Sequence, residues 1–208
     1  MRVLVIAPHP DDEVIGCGGA VCLHAKAGDR ISAVFLTSGE LGLKHLPKEK
    51  SWSIREREAK RAAKILGISK LYFLRQPDWT LGDHVQETTR CLVQVLEKEK
   101  PKSIYLPHPG DSHPDHQVAF GMLRAALKGL PNINPQLLGY EIWSPLASHD
   151  VVTDITRVMT KKLKALRAHE SQLNDFDYVK GVIGFNQYRG EIAGKCRFAE
   201  VFQSLAAR

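Results

Sequence analysis

Along the chain, short runs of Val, Ile and Leu alternate with longer stretches whose apolar residues recur at helical spacing. The short runs at 2–7, 30–37, 70–74, 102–106 and 137–143 predict strands. The periodic stretches at 14–27, 52–66, 84–98, 115–128 and 155–173 predict helices, the last with the most regular pattern. Gly67 closes the second helix, Pro101 stops the third, and Gly129 with Pro131 ends the fourth. Such alternation predicts right-handed βαβ units and an α/β fold, a Rossmann-like, mostly parallel sheet with helices on both faces. Nothing repeats at a solenoid period and no linker or low-complexity segment divides the chain, so residues 1–208 are expected to form a single domain.

In a doubly wound sheet of order 3-2-1-4-5, strands one and four are neighbours whose connections leave in opposite directions. Ligands bind beyond the carboxyl ends of the strands at that switch point. Two polar loops fall there: Pro8-His9-Pro10-Asp11-Asp12-Glu13 after the first strand, and His113-Pro114-Asp115-His116 after the fourth. Taken alone, the first loop is also an ordinary helix cap, because Asp accepts orphan amide hydrogens and favours the positive helix end. Paired with a second His/Asp loop at the switch point, it reads as the oxygen and nitrogen donor set of a hydrolytic divalent metal. Three ligands leave one position for water: His9, one of Asp11 and Asp12, and one of His113 and His116. The remaining Asp is then free to act as general base. Spacing alone does not choose within either pair. The glycines that follow, Gly16-Cys17-Gly18-Gly19, are not the Gly-x-Gly-x-x-Gly of a dinucleotide site, and an acidic loop would repel a pyrophosphate. They read as small residues that let the first helix pack closely.

Composition adds limits. Lys and Arg number 29 against 23 Asp and Glu, a mild excess that suits a solvated lysine-rich exterior or an anionic partner. Lys161, Lys162, Lys164 and Arg167 fall among Leu163 and Leu166 at helical spacing and read as the polar face of an amphipathic helix. No interleaving of aromatic and basic residues suggests a nucleic-acid partner. No run reaches the roughly 18 apolar residues of a membrane span, and the N-terminal apolar run is too short for a signal peptide. Cys17, Cys22, Cys91 and Cys196 form no Cys-x-x-Cys pair and read as buried thiols of a reducing, cytoplasmic compartment. Cys17, close behind the first polar loop, reads as core packing of the first helix.

His9-Pro10-Asp11-Asp12-Glu13 together with His113-Pro114-Asp115-His116 resembles the LmbE/PIG-L family of zinc-dependent N-deacetylases. The likeness runs over nearly the whole chain: Thr37-Ser38-Gly39-Glu40-Leu41-Gly42, Arg55 through Ala59, Leu66-Gly67, Pro77-Asp78, Lys162 with His169-Glu170-Ser171-Gln172, Arg189-Gly190, and Ala199-Glu200-Val201-Phe202. Pro8 departs from the usual alanine or serine. The resemblance implies one zinc ion per chain held by His9, Asp12 and His116, with Asp11 as general base. It makes His113, held by Asp115, the imidazole that faces the developing oxyanion and protonates the leaving nitrogen. It also implies an N-acetylglucosaminyl-type amino-sugar conjugate as small-molecule partner, hydrolysed to acetate and a free amine, and a homo-oligomer.

Glu13 reads either as a hydrogen-bond partner of a ligand or as a charge at the helix start. Arg55 is a candidate grip for a substrate hydroxyl or carboxylate, against a surface salt bridge with Glu56 or Glu58. Asp78 and Trp79 follow the third strand at the ligand-binding end, where an indole can stack on a sugar. His169 reads as a family position or as a complement to a helix C-terminus. Rival functions are a non-catalytic sugar-binding protein and a metal-dependent hydrolase of a different amide or ester. A phosphoesterase would call for a second carboxylate-rich metal set.

Overall fold

The computed structural model describes residues 1–174 and 176–206. Its sheet has seven strands in the order β3-β2-β1-β4-β5-β7-β6. These are β1 (Arg2–Ala7), β2 (Arg30–Thr37), β3 (Lys70–Gln76), β4 (Ser103–Pro107), β5 (Gln136–Tyr140), β6 (Val151–Asp154) and β7 (Ala199–Leu205). The first five pair in parallel in the expected order, and β7 and β6 extend that edge antiparallel. The helices are α1 (Asp12–Lys26), α2 (Lys48–Leu66), α3 (Val85–Glu99), α4 (Pro114–Lys128), α5 (Met159–Leu166) and α6 (Tyr178–Arg189).

Successive residues of β1 feed opposite cores. Val3, Val5 and Ala7 pack with α1, α2 and α5, whereas Leu4 and Ile6 pack with α3 and α4. A strand buried on both faces reads as a continuous apolar run, which is why the inner strands were visible in the sequence. Among the described residues no helix is long and apolar enough to cross a membrane.

Two expectations fail for one reason. The helix expected over 155–173 is only Met159–Leu166, followed by a 3-10 turn at Glu170–Gln172. Ile155 and Val158 are buried without being helical, and the Ile155 amide instead pairs with the Phe198 carbonyl beside β7. Lys162 is not on a polar face. It is fully buried, with Nζ donating to Ile15 O, Asn186 Oδ1 and Glu200 Oε1 at 2.7–2.8 Å. In both cases burial set the apolar period, and a buried cation sits inside it.

Lys162 and Glu200 repair a break in α1. At Cys17 the backbone leaves helical geometry (φ −142°, ψ 16°). The Glu200 carboxylate accepts the freed Gly19 and Ala20 amides at 2.7 and 2.8 Å, and Lys162 takes the Ile15 carbonyl. Unsatisfied backbone groups at helix ends demand such partners. Gly16 leaves room for the Tyr140 ring, whose nearest carbon would stand 2.2 Å from an added Cβ, in line with the close packing expected of these glycines.

Candidate active site

The loop after β1 and the loop after β4 meet at the switch point. His9 Nδ1 and His116 Nε2 are 3.2 Å apart, and each lies 3.2–3.3 Å from Asp12 Oδ2. Two ring nitrogens this close cannot both present lone pairs without a proton or cation between them. Three donors about 2.0–2.2 Å from one tetrahedral ion stand roughly 3.4 Å apart, so this triangle has the size a divalent metal needs.

Carboxylates orient both imidazoles from behind. His9 Nε2 faces Asp78 Oδ1 at 3.0 Å and Asp115 Oδ2 at 3.2 Å, and His116 Nδ1 faces Asp111 Oδ1 at 3.1 Å. A proton fixed on the far nitrogen leaves the near one free to ligate. The His9–Asp78–Asp115 group could itself hold an ion. Asp115 Oδ2, however, also accepts the Trp79 amide at 2.8 Å, so these groups read better as orienting partners of His9.

Without metal, protons fill the triangle. Burial opposes charging His9, but its bonds to Asp115, Asp12 and Asp78 hold it well above 6.5. Burial also opposes His116, yet the Asp12 charge raises it to about 9. Asp12, despite burial, is held far below the usual carboxylate range, chiefly by His116.

Asp11 stands beside this cluster in an unusual conformation, φ 129°. Its amide donates to Glu13 Oε2 at 2.9 Å, and its Oδ2 accepts from Arg55 Nη2 at 3.0 Å. Burial pushes Asp11 up to about 6 against the pull of Arg55. Arg55 is itself buried, donating to Gly39 O at 2.7 Å and Pro10 O at 2.6 Å. Gly39 has φ 61°, and an added Cβ would stand 1.9 Å from the Arg55 guanidinium, so only glycine suits that turn.

His113 caps α4, its Nδ1 accepting the Asp115 amide at 3.2 Å. A ring that accepts at Nδ1 carries its proton on Nε2. Burial and the charges of His9 and His116 lower its pKa, so it is a neutral N–H donor. The Trp79 ring, 56% exposed, lies 4.6 Å from the His113 ring at the mouth of a cavity of about 790 Å³.

Residues 4–127 match the PIG-L family, GlcNAc-PI de-N-acetylase. The chain belongs to this family. Over 191 residues it is 32% identical to diacetylchitobiose deacetylase of Thermococcus kodakarensis, covering 82% of this chain and 70% of that protein. It is 31% identical to a Bacillus anthracis protein designated probable N-acetyl-alpha-D-glucosaminyl L-malate deacetylase 2, covering 82% and 81%. The solved N,N′-diacetylchitobiose deacetylase of Pyrococcus horikoshii superposes with a TM-score of 0.87 at 30% identity, covering 99% of this chain and 84% of that one.

Around the motif positions of the PIG-L family two overlapping donor sets are present: the His9–Asp12–His116 triangle, and His9, His113 and His116, whose ring nitrogens could also meet one ion. Asp12 and His116 enter the triangle, while Asp11 and His113 stand beside it. One expectation is corrected: the Asp115 carboxylate does not hold His113. It accepts the Trp79 and Leu81 amides at 2.8 and 3.1 Å and faces His9, so only its backbone amide reaches His113. The two loop amides claim the carboxylate because Trp79 turns the chain at φ 68°. The Glu13 carboxylate turns instead to the Asp11 backbone, whose amide it accepts, and lies 3.3 Å from buried His169. The surface reading of Arg55 fails, since Glu56 pairs with Arg75 and Glu58 with Ser171. Asp78 lines the cavity, but one oxygen is turned to His9 and the other accepts the Leu41 amide.

Sequence reading missed Asp111. Fully buried, it faces His116 and the His113 amide through Oδ1, and it accepts the Trp143 and Ser144 amides at Oδ2. The available signal was an acid two residues before the second histidine motif, where a ligand's far nitrogen needs a carboxylate.

Proposed function

We propose that this chain, an N-deacetylase of the PIG-L family, hydrolyses the acetamido group of an N-acetylglucosaminyl-type amino-sugar conjugate to acetate and a free amine. The observation that carries the reading is the His9–Asp12–His116 triangle with a pinned carboxylate, Asp11, and a neutral imidazole, His113, at its edge. Two imidazoles, one carboxylate and an open position suit one zinc ion. When bound, zinc supplies a Lewis acid for the acetyl carbonyl and brings the pKa of water to about 7.

The chain's own groups do the rest. Asp11 takes a proton from the water that attacks the carbonyl carbon. His113 Nε2–H donates to the carbonyl oxygen as it gains negative charge, a contact of the kind worth roughly 10²–10³ in rate. As the carbon–nitrogen bond breaks, Asp11 passes its proton to the nitrogen. His113 is ill suited to that step, since its Nδ1 already accepts an amide and the ring stays neutral. Asp115 serves by fixing His9 and the turn that carries Trp79. Simple sugar binding would need neither a pinned base nor a neutral donor.

A single domain over 1–208, a cytoplasmic setting suggested by unpaired cysteines, a homo-oligomer, and no nucleic-acid or membrane partner belong to the same proposal. Zinc content and acetate release from N-acetylglucosaminides, measured on His116→Ala and His113→Ala, test it. His116→Ala should lose zinc and turnover together. His113→Ala should keep zinc and lose turnover. Zinc lost from His113→Ala and kept in His116→Ala would overturn the assignment.

A further inference from the structure

The cavity is roomier than an acetamido sugar requires. Its volume of about 790 Å³ lies near the upper end of ligand sites, roughly 300–1,000 Å³, and suits two rings better than one. Part of its lining is apolar, formed by Ile142, Trp143, Phe176, Tyr178, Val182 and Phe185 from the segment after β5 and from α6 with the residues before it. Trp143 is 50% exposed and Phe176 61%. Both rings pack against Tyr178, at centroid distances of 6.2 and 5.7 Å, so the three make one continuous surface. Large aromatics left in water beside a reaction site mark a place for a ligand.

This surface is anchored to the reacting edge. The Trp143 and His113 amides grip opposite oxygens of the one Asp111 carboxylate, at 2.9 and 3.0 Å. Its electrostatics select against anions. Glu141 is paired with Arg189, and Asp177 is an exposed acid at the rim with one oxygen on the Lys180 amide. Apart from His9 and His113, the basic ones among the described lining residues are Arg55, already donating to Asp11, Gly39 and Pro10, and Lys44 with His45 from the segment after β2.

We propose that the Trp143–Tyr178–Phe176 surface is the subsite for the aglycone, and that it takes an uncharged ring, a second pyranose or an aryl group, stacked on the indole. The apolar face of such a ring buries CH groups against an aromatic at no cost in charge desolvation. The proposal rests on the deacetylase reading for the reacting group and adds which conjugate is used.

The test uses the zinc-loaded full chain. Rates of acetate release are compared for N-acetylglucosamine, its phenyl glycoside, N,N′-diacetylchitobiose, and a glycoside whose aglycone is a hydroxy-dicarboxylic acid. Ring aglycones should raise kcat/KM about tenfold over the free sugar, mainly through KM, and the dicarboxylate should not. Trp143→Ala should bring that ratio toward one, and Trp143→Phe should keep most of it. Phe176→Ala, on a separate segment, should lower it in part.

A preference for the dicarboxylate, a ratio unchanged in both alanine variants, or a gain that follows N-acyl length instead would overturn the proposal. If no compound is turned over, the deacetylase reading fails on its own account, and calorimetric binding still decides the subsite. Phenyl glucosaminide binding more tightly than glucosamine, with the difference lost in Trp143→Ala, supports it. Equal binding overturns it.

Discussion

Charge is buried in two places in this molecule, and the two behave differently. At the α1 break, Lys162 donates its three protons to Ile15, Asn186 and Glu200, and Glu200 also takes two amides, so nothing is left over. At the switch point, His9, Asp12 and His116 point ligating atoms at one another across 3.2–3.3 Å, the two imidazoles oriented from behind by carboxylates and the Asp12 oxygen held by the His9 amide. Buried charge alone therefore does not mark a site. Convergence of donors that only a proton or an ion can satisfy does. The first arrangement holds the chain together; the second waits for a ligand.

Substitutions test this contrast. Asp11→Asn should keep the metal and lower turnover by about 10²–10⁴, the range of a lost general base, read as acetate release beside zinc content. Zinc lost from this variant would exchange the roles of Asp11 and Asp12. Lys162→Ala should cost about 3–5 kcal/mol of stability, read by denaturant unfolding, because the buried Glu200 charge loses its counter-charge and the Ile15 carbonyl its donor. A small loss there would show that water reaches the break and that the pair is less closed than its contacts suggest.

Asp111→Asn should weaken metal binding about 10–100-fold in a chelator competition. An amide cannot present oxygen both to the His116 ring and to the Trp143 and Ser144 amides, so one side must lose. The smallest effect concerns pH. His116 is raised to about 9, so the metal-free protein is protonated below that value and metal must displace the proton. Apparent affinity should fall as pH drops through 9, up to tenfold per unit for the His116 proton and more steeply wherever His9, also raised, holds one too. Proton release measured in two buffers of different ionisation enthalpy checks the sign.

What the sequence disclosed depended on what made each feature. The two histidine loops were placed together by strand order alone, because the inner strands are apolar on both faces. β6 was invisible: Val151–Asp154 is four residues long and alternates in burial. α6 contains Gly181 and Gly184 and shows no clear apolar stripe. The partners of Asp115, Glu13 and Asp111 depend on which backbone amides the folded loops leave open, and no spacing rule carries that information. Lys162 misled because a cation that repairs a helix break obeys the same period as one that faces water.

The φ of 129° at Asp11 has a consequence for how this position can vary. A non-glycine residue held there costs about 1–3 kcal/mol, maintained here by Glu13 and Arg55. Asp11→Gly and Asp11→Ala should be equally inactive, yet the glycine variant should melt later, because it alone escapes the dihedral. The native aspartate therefore holds a strained dihedral for its carboxylate, which pairs with buried Arg55, and any replacement at position 11 gives up that pair whether or not it relaxes the backbone.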